Sequence, residues 1–429
     1  MNLYRLAAIV KRRPANIIFA IKRRAFLFKE RNLRSSGFSK SHSPGINLVA
    51  YIRAEMGLGQ SARGMATALE AAQIPFNILN FEHSNPARHG DGSWEHKECF
   101  ESKYDITVLV INPDNVFNAR RRLPAQIFVN RYVIGYWVWE LPTVPDEWME
   151  AFSLVNEVWA ASRFVEEAIT LKSPVPVFRV PHVVRVKDGN ELSRQYFNLP
   201  EKQFLFLTTC DTGSILERKN PEGTLAAFKK AFAPNDKSVG LVLKISGPHR
   251  ASRLGSLVQT VGRRNRQSNL ELIKEQIQGY DNIRLIDRIL SPEELRSLLK
   301  VTDCYVSLHR SEGFGLVPAE AMSLGKPAII TRWSGNIDYM TDDNSVGIDY
   351  RLVKLGQDYG PYEADQHWAE PDIDQAAHWM KRLADDPALA AAIGKRGQQT
   401  ILTKFSPEAV GAIIKKRLAF IRSQQPQRG

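Results

Sequence analysis

Glu312 and Glu320 stand in the stretch Ser311-Glu-Gly-Phe-Gly-Leu-Val-Pro-Ala-Glu-Ala-Met-Ser-Leu-Gly-Lys-Pro327, with seven residues between them. Carboxylates accept hydrogen bonds from hydroxyls and repel phosphate. Yet the segment between them has the make-up of a phosphate site. An apolar run, Cys304–Leu308, leads into a loop with Gly313 and Gly315, and Pro318 is suited to the first position of a helix. A helix N-terminus offers free backbone N–H groups to an anion. Far upstream, Arg218 and Lys219 precede Asn220-Pro221, where a second helix is expected. Two cations beside a helix start also make an anion site, although loop lysines and arginines are commonly just solvated. A ligand with both a diphosphate and sugar hydroxyls satisfies the acids and the cations together, and a nucleotide sugar is such a ligand.

Further polar residues sit where open α/β sheets bind ligands. Glu140 follows the apolar run Val133–Trp139, at the carboxyl end of an expected strand, which suits contact with an acceptor or with the donor's sugar. Lys244 lies inside the apolar run Leu241–Ser246, where a lone lysine is costly without a partner. It is either a second base for the diphosphate or a strand-end side chain reaching for water. His309 either lines the cleft with Arg310 or is structural. Glu320, two residues after Pro318, also suits a first helical turn, where an acid complements the dipole. Trp137, Trp139, Trp148 and Trp159 are four of the eight tryptophans, and core packing is expected for most of them.

Strands and helices must alternate to place these groups, and their alternation predicts parallel sheets. Strands are expected at Ile46–Ile52, Phe76–Phe81, Ile106–Ile111, Val133–Trp139, Glu157–Ala161 and Val175–Pro181. A second series covers Phe204–Thr209, Gly240–Ser246, Ile283–Ile286, Cys304–Leu308 and Ala328–Thr331. Helices are expected at Ser61–Ala72, Pro221–Phe232, Pro292–Leu299, Pro318–Leu324 and Pro407–Ile421, with Gly325 as a stop signal. At 429 residues the chain suits two domains.

Ser307-Leu-His-Arg-Ser-Glu-Gly-Phe-Gly-Leu316, Pro318-Ala-Glu-Ala-Met322 and Gly325-Lys-Pro327 resemble the family 4 retaining glycosyltransferases of GT-B fold. Asp211-Thr-Gly-Ser-Ile-Leu-Glu-Arg-Lys-Asn-Pro221 is similar to that family's diphosphate-binding segment, and Gly135–Leu141 and Pro145–Trp148 are similar to stretches of its members. The resemblance covers about residues 46–420. It implies an α/β architecture of two Rossmann-like domains facing a cleft, with a C-terminal helix crossing back. Residues 46–190 together with 407–429 would form the acceptor domain, and residues 191–406 the nucleotide-sugar domain. Glu312 would then take hydroxyls of the transferred sugar and Glu320 those of the ribose. Gly313, Phe314, Gly315 and Leu316 would present N–H groups to the donor, Lys219 and Arg218 would hold the diphosphate, and Gly57 and Gly59 would face the cleft. One departure is Gly213, six residues before Lys219, where many relatives carry a cation. The transfer would retain configuration without a metal, the leaving diphosphate accepting the hydroxyl proton. No cofactor is expected beyond the donor. The only Asp-x-Asp, Asp372-Ile-Asp374, reads as a helix cap.

Glu55-Met-Gly-Leu-Gly-Gln-Ser-Ala62 also fits a dinucleotide fingerprint, with Glu82 about where a ribose-binding acid belongs. An NAD-dependent enzyme is therefore one alternative, and a catalytically silent scaffold of the same fold is another.

Residues 1–45 carry eleven Lys/Arg and one acid, so they hold +10 of the formal +12. Lys11-Arg-Arg13 and Lys22-Arg-Arg24 recur among short apolar runs, too short to span a bilayer. A basic amphipathic extension binding anionic lipid through residues 1–34 is expected, the alternatives being a disordered arm or a packed helix. That places the chain at the cytoplasmic face of a membrane, with a glycan or lipid-linked glycan as acceptor. The nearly neutral body argues against nucleic acid. Cys99, Cys210 and Cys304 are too scattered for a disulfide framework and suit buried thiols in a reducing compartment.

Overall fold

The computed structural model describes residues 42–85, 87–186, 191–211, 214–246 and 270–424. The basic segment 1–41, Gly213 and the last five residues lie outside them.

Two six-stranded sheets organise the chain, each parallel throughout. The first contains β1 (Ser43–Ala50), β2 (Phe76–Asn80), β3 (Tyr104–Val110), β4 (Tyr132–Trp137), β5 (Glu157–Ala160) and β6 (Val177–Arg179), in the order β2-β1-β3-β4-β5-β6. The second contains β7 (Phe204–Asp211), β8 (Val239–Ser246), β9 (Ile283–Ile286), β10 (Cys304–Ser307), β11 (Ala328–Thr331) and β12 (Val346–Ile348), in the order β12-β11-β10-β7-β8-β9. Helices cover both faces of a parallel sheet, so its strands are nearly continuous apolar runs. This is why the strands are legible: every residue from Ile46 to Ala50 is buried. Asn47 is the polar exception, and it pins β1 to β3. Its amide donates to Tyr104 O at 2.9 Å, and its carbonyl accepts from Lys103 N at 2.9 Å.

The connecting helices are α1 (Gly57–Ala71), α2 (Pro113–Arg122), α3 (Arg163–Thr170), α4 (Leu216–Lys219), α5 (Pro221–Ala231), α6 (Pro292–Val301) and α7 (Leu316–Ser323). Beyond the sheets lie α8 (Ile373–Asp385), α9 (Pro387–Lys404) and α10 (Pro407–Ser423). Two expected starts are corrected. α1 begins four residues early, at Gly57. α7 begins at Leu316, behind Gly315 in the left-handed conformation at φ 81. Pro318 is therefore the third helical residue, and Glu320 the fifth, outside the first turn. The proline is tolerated because the first four N–H groups have no intrahelical acceptor.

α10 returns to the first sheet. It packs so closely on α1 that a Cβ on Gly411 would lie 2.5 Å from Ala68 O. Buried Glu157 receives both Arg417 Nε at 2.9 Å and Nη2 at 2.6 Å, together with Trp159 Nε1 and Tyr132 Oη. Arg422 forms a second fork with Asp105. The two carboxylates thus clamp the last helix to the first domain.

A separate antiparallel hairpin, β13 (Tyr350–Lys354) with β14 (His367–Pro371), was not expected from the sequence. Arg310 fastens it to the second domain through Glu370 at 2.6 and 3.1 Å. Its Leu355, Tyr362 and Trp368 are buried in the cluster that holds Trp137, Trp139 and Trp148 of the first domain. The hairpin therefore bridges the cleft.

Candidate active site

The second sheet reverses its strand order between β7 and β10, and ligands of open α/β sheets bind at the carboxyl ends beside such a reversal. β7 runs into α4, whose last residues are Arg218 and Lys219. β10 runs into the loop carrying Glu312. Asn220 ties the two together. It adopts the left-handed conformation, its Oδ1 caps α5 by accepting from Gly223 N, and its Nδ2 donates to Leu308 O at 2.8 Å. Arg310 N donates to Arg218 O at 2.7 Å.

Residues 93 positions apart thus meet. Lys219 Nζ donates to Glu312 Oε1 at 2.5 Å, and Arg218 Nη1 lies 3.2 Å from Glu312 Oε2. Burial disfavours the Glu312 charge, but Lys219 and Arg218 overcome it and hold the carboxyl down at about pKa 2. Burial likewise opposes the Arg218 charge, while Tyr362, Glu312 and Glu140 drive its pKa upward. Arg218 also donates to Ser311 O and Ser214 Oγ, so this guanidinium is the rigid centre of the site. Lys219 is more accessible, its side chain 26% exposed.

Ser334, Gly335 and Asn336 support the Glu312 loop from below, and sequence reasoning missed them. Ser334 Oγ accepts from Glu312 N at 2.8 Å, and Gly335 N donates to Glu312 O at 2.9 Å. A Cβ on Gly335 would stand 2.0 Å from Gly313 O. The available signal was a Ser-Gly-Asn turn just past β11, at the carboxyl end of the sheet.

The first domain closes over this loop. Ser162 Oγ donates to Gly313 O at 2.6 Å, and Ser311 Oγ donates to Glu140 O. Phe314 is buried between His182 and Phe405, so its ring is core. Glu140 Oε2 accepts from Tyr362 Oη at 2.9 Å, and its Oε1 lies 4.0 Å from Arg218 Nη2. Gln60, at the start of α1, donates to Glu320 on α7. Burial raises the Glu320 carboxyl to about pKa 7, against that hydrogen bond.

Gly57 opens α1 with free space around it, whereas a Cβ on Gly59 would stand 2.0 Å from Ala54 O. The close approach, not a positive φ, fixes that glycine. Leu316 is the first residue of α7, so its N–H is free of intrahelical bonds. Lys244 is buried on β8, with its pKa lowered by burial and supported by Asp211 and Cys210. It pairs in register with Thr209 of β7, toward the carboxyl end of β8. His309 is a correction: it is fully buried and does not line the cleft. Its Nδ1 meets Ser307 Oγ at 3.0 Å and its Nε2 meets Asn336 Oδ1 at 2.9 Å. Burial lowers its pKa to about 4, so it is a neutral strut. Asp372 caps α8 by accepting from Asp374 N and Gln375 N. Asp374 pairs with Lys230. Among the described residues no group of three or more His, Cys, Asp or Glu is arranged to hold a metal ion.

Residues 190–351 match the family described as Glycosyl transferases group 1. The matched stretch contains α4, the Glu312 loop and α7. Over 88% of this chain and 100% of the other, the structure is similar to HepE of Anabaena, solved with UDP and glucose, at a TM-score of 0.62 and 12% identity. It is similar to sucrose-phosphate synthase of Thermosynechococcus elongatus over 89% and 100%, at 0.61 and 16%. The fold is GT-B. In sequence the chain is 24% identical over 231 residues to the lipopolysaccharide core biosynthesis glycosyltransferase LpsD of Rhizobium meliloti (strain 1021). That match spans 54% of each protein, so it reaches only about half the length of the curated relative.

Proposed function

We propose that this GT-B chain is a retaining, metal-independent glycosyltransferase that moves a sugar from a nucleoside-diphosphate sugar to a hydroxyl acceptor. The observation that carries this reading is the meeting of Lys219 with Glu312 at the strand reversal of the second sheet. The cation and the acid lie side by side, as a ligand with a diphosphate and sugar hydroxyls requires. The match over residues 190–351 to group 1 glycosyl transferases supports it, as does the HepE structure with UDP and glucose.

In this reading the diphosphate draws Lys219 away from Glu312, and the freed carboxylate accepts hydroxyls of the transferred sugar. Arg218 keeps Glu312 in place and adds positive charge beside the leaving group. N–H groups of Leu316 and Val317, in the first turn of α7, face the phosphates. Glu320 takes the ribose hydroxyls once Gln60 yields. The C1–oxygen bond to the diphosphate breaks through an oxocarbenium-like state, and the acceptor hydroxyl enters on the face that the leaving group departs. Its proton passes to the diphosphate. No protein base is assigned, since His309, the nearest imidazole to Glu312 in sequence, is walled in. Lipopolysaccharide-like or other polysaccharide assembly at the cytoplasmic face of a membrane is the setting we infer, from LpsD and the basic segment 1–34.

A screen of UDP-, GDP- and ADP-sugars, read as donor hydrolysis and as transfer, tests the function. One donor class should turn over, and turnover should survive EDTA. Loss of activity in EDTA with recovery on Mg²⁺ or Mn²⁺ would overturn the metal-free mechanism. Micromolar NAD(H) binding without any sugar turnover would favour the dinucleotide alternative at Gly57–Ala62.

A further inference from the structure

The hairpin β13–β14 brings one polar group into the cleft that the sequence motifs do not account for. Tyr362 sits at its tip, where Tyr359 and Tyr362 exchange backbone hydrogen bonds at 2.9 and 3.0 Å. The side chain is only 4% exposed, and its ring meets Trp139 edge-on at 5.3 Å. Its hydroxyl donates to Glu140 Oε2 at 2.9 Å. Arg218 stands between two carboxylates, Glu140 from the first domain and Glu312 from the second, at 4.0 and 3.2 Å.

We propose that Tyr362 is a positioning residue for Glu140, and that the carboxylate it holds takes a hydroxyl of the acceptor sugar. The proposal rests on the glycosyltransferase reading above. A carboxylate has about four lone-pair sites. Tyr362 occupies one on Oε2, and the guanidinium is too far from Oε1 for a direct hydrogen bond. Oε1, beside Arg218, therefore keeps acceptor capacity to spare. Its side chain is 26% exposed, enough for a substrate hydroxyl to reach. Glu312 serves the second domain's ligand, so the ligand left for Glu140 is the one the first domain carries. Burial and the adjoining Glu140 keep the Tyr362 phenol protonated, and it donates at every working pH. The hydroxyl comes from a segment anchored on the second domain by Arg310 and Glu370. The acceptor contact is thus completed only when the two domains are together.

Tyr362→Phe keeps the ring and removes only the donor. The assay uses the best donor from the screen, with water and a panel of methyl glycosides and lipid-linked saccharides as acceptors. Losing one hydrogen bond to a charged group should raise the acceptor KM by about 10-fold. The donor KM and the rate of donor hydrolysis should stay within about 2-fold, a split that a general loss of structure does not produce. On a Glu140→Gln background the same change should add little, because the two residues act through one contact. A wild-type acceptor KM in the active, folded Tyr362→Phe enzyme would overturn the proposal alone, and so would a fully additive double variant. No transfer by the wild-type chain to any acceptor in the panel would sink the transfer reading and this proposal with it.

Discussion

Glu312 and Glu320 share a motif, yet the fold gives them opposite electrostatics. Glu312 is held at about pKa 2 because Lys219 and Arg218 outweigh its burial. Glu320 has no cation among its causes, and burial lifts it to about 7. The signs follow. A depressed carboxyl stabilises the fold above its ordinary pKa, and that stability is lost as pH falls from about 4.5 toward 2. A raised carboxyl binds its proton more tightly when folded, so its contribution declines as pH climbs from about 4.5 to 7. Between pH 5 and 8 Glu312 stays charged while Glu320 titrates. Ribose hydroxyls donate best to the ionised form, so donor affinity should rise with pH through about 7. Calorimetric titration with the donor should show this rise in the wild type and a flat profile in Glu320→Gln. An unchanged slope in that variant would remove Glu320 from the donor site. The pairing of Glu320 with Gln60 spans 260 positions, and no local pattern reveals a contact of that kind. The Glu312 loop was legible because its glycines and acids lie in one short run.

Loops at the carboxyl ends of β7, β10 and β11 form the site, and their shape depends on close backbone contacts. Gly335 is the tightest of these under Glu312. Gly335→Ala should force the Gly313–Phe314 backbone to move, costing ~2 kcal/mol or more of stability and at least ~10-fold in kcat/KM. Denaturant melts and steady-state kinetics of the purified variant check both, and a wild-type kcat/KM would show that the loop tolerates displacement. The expected strands of both sheets were readable because buried parallel strands are apolar runs. The hairpin was not. β13 is Tyr350-Arg-Leu-Val-Lys354, largely exposed, with no apolar run to mark it. The start of α7 was misplaced because a left-handed glycine, rather than the conspicuous proline, sets it. β12 was missed because Gly347 interrupts its short apolar run, Val346-Gly-Ile348.

Across the whole molecule, the two domains are joined by α10, by the hairpin and by contacts through Phe314, Ser162 and Gln60. Among the described residues no helix is long and apolar enough to cross a membrane. The basic segment carries the membrane proposal by itself, each Lys or Arg near an anionic surface contributing ~1 kcal/mol. The full chain should co-sediment with anionic vesicles and far less with neutral ones, and a chain starting near Ser41 should stay in solution while remaining active on a soluble acceptor. Equal pelleting of both would refute the anchor. The central claim is that one cation and one acid, brought together at the strand reversal, handle the donor. Its most direct test is transfer by Lys219→Ala and Glu312→Ala, each shown by circular dichroism to be folded. Both should lose ~100-fold or more in turnover, the scale of one preorganised charge contact. Near-wild-type turnover in both would contradict the account.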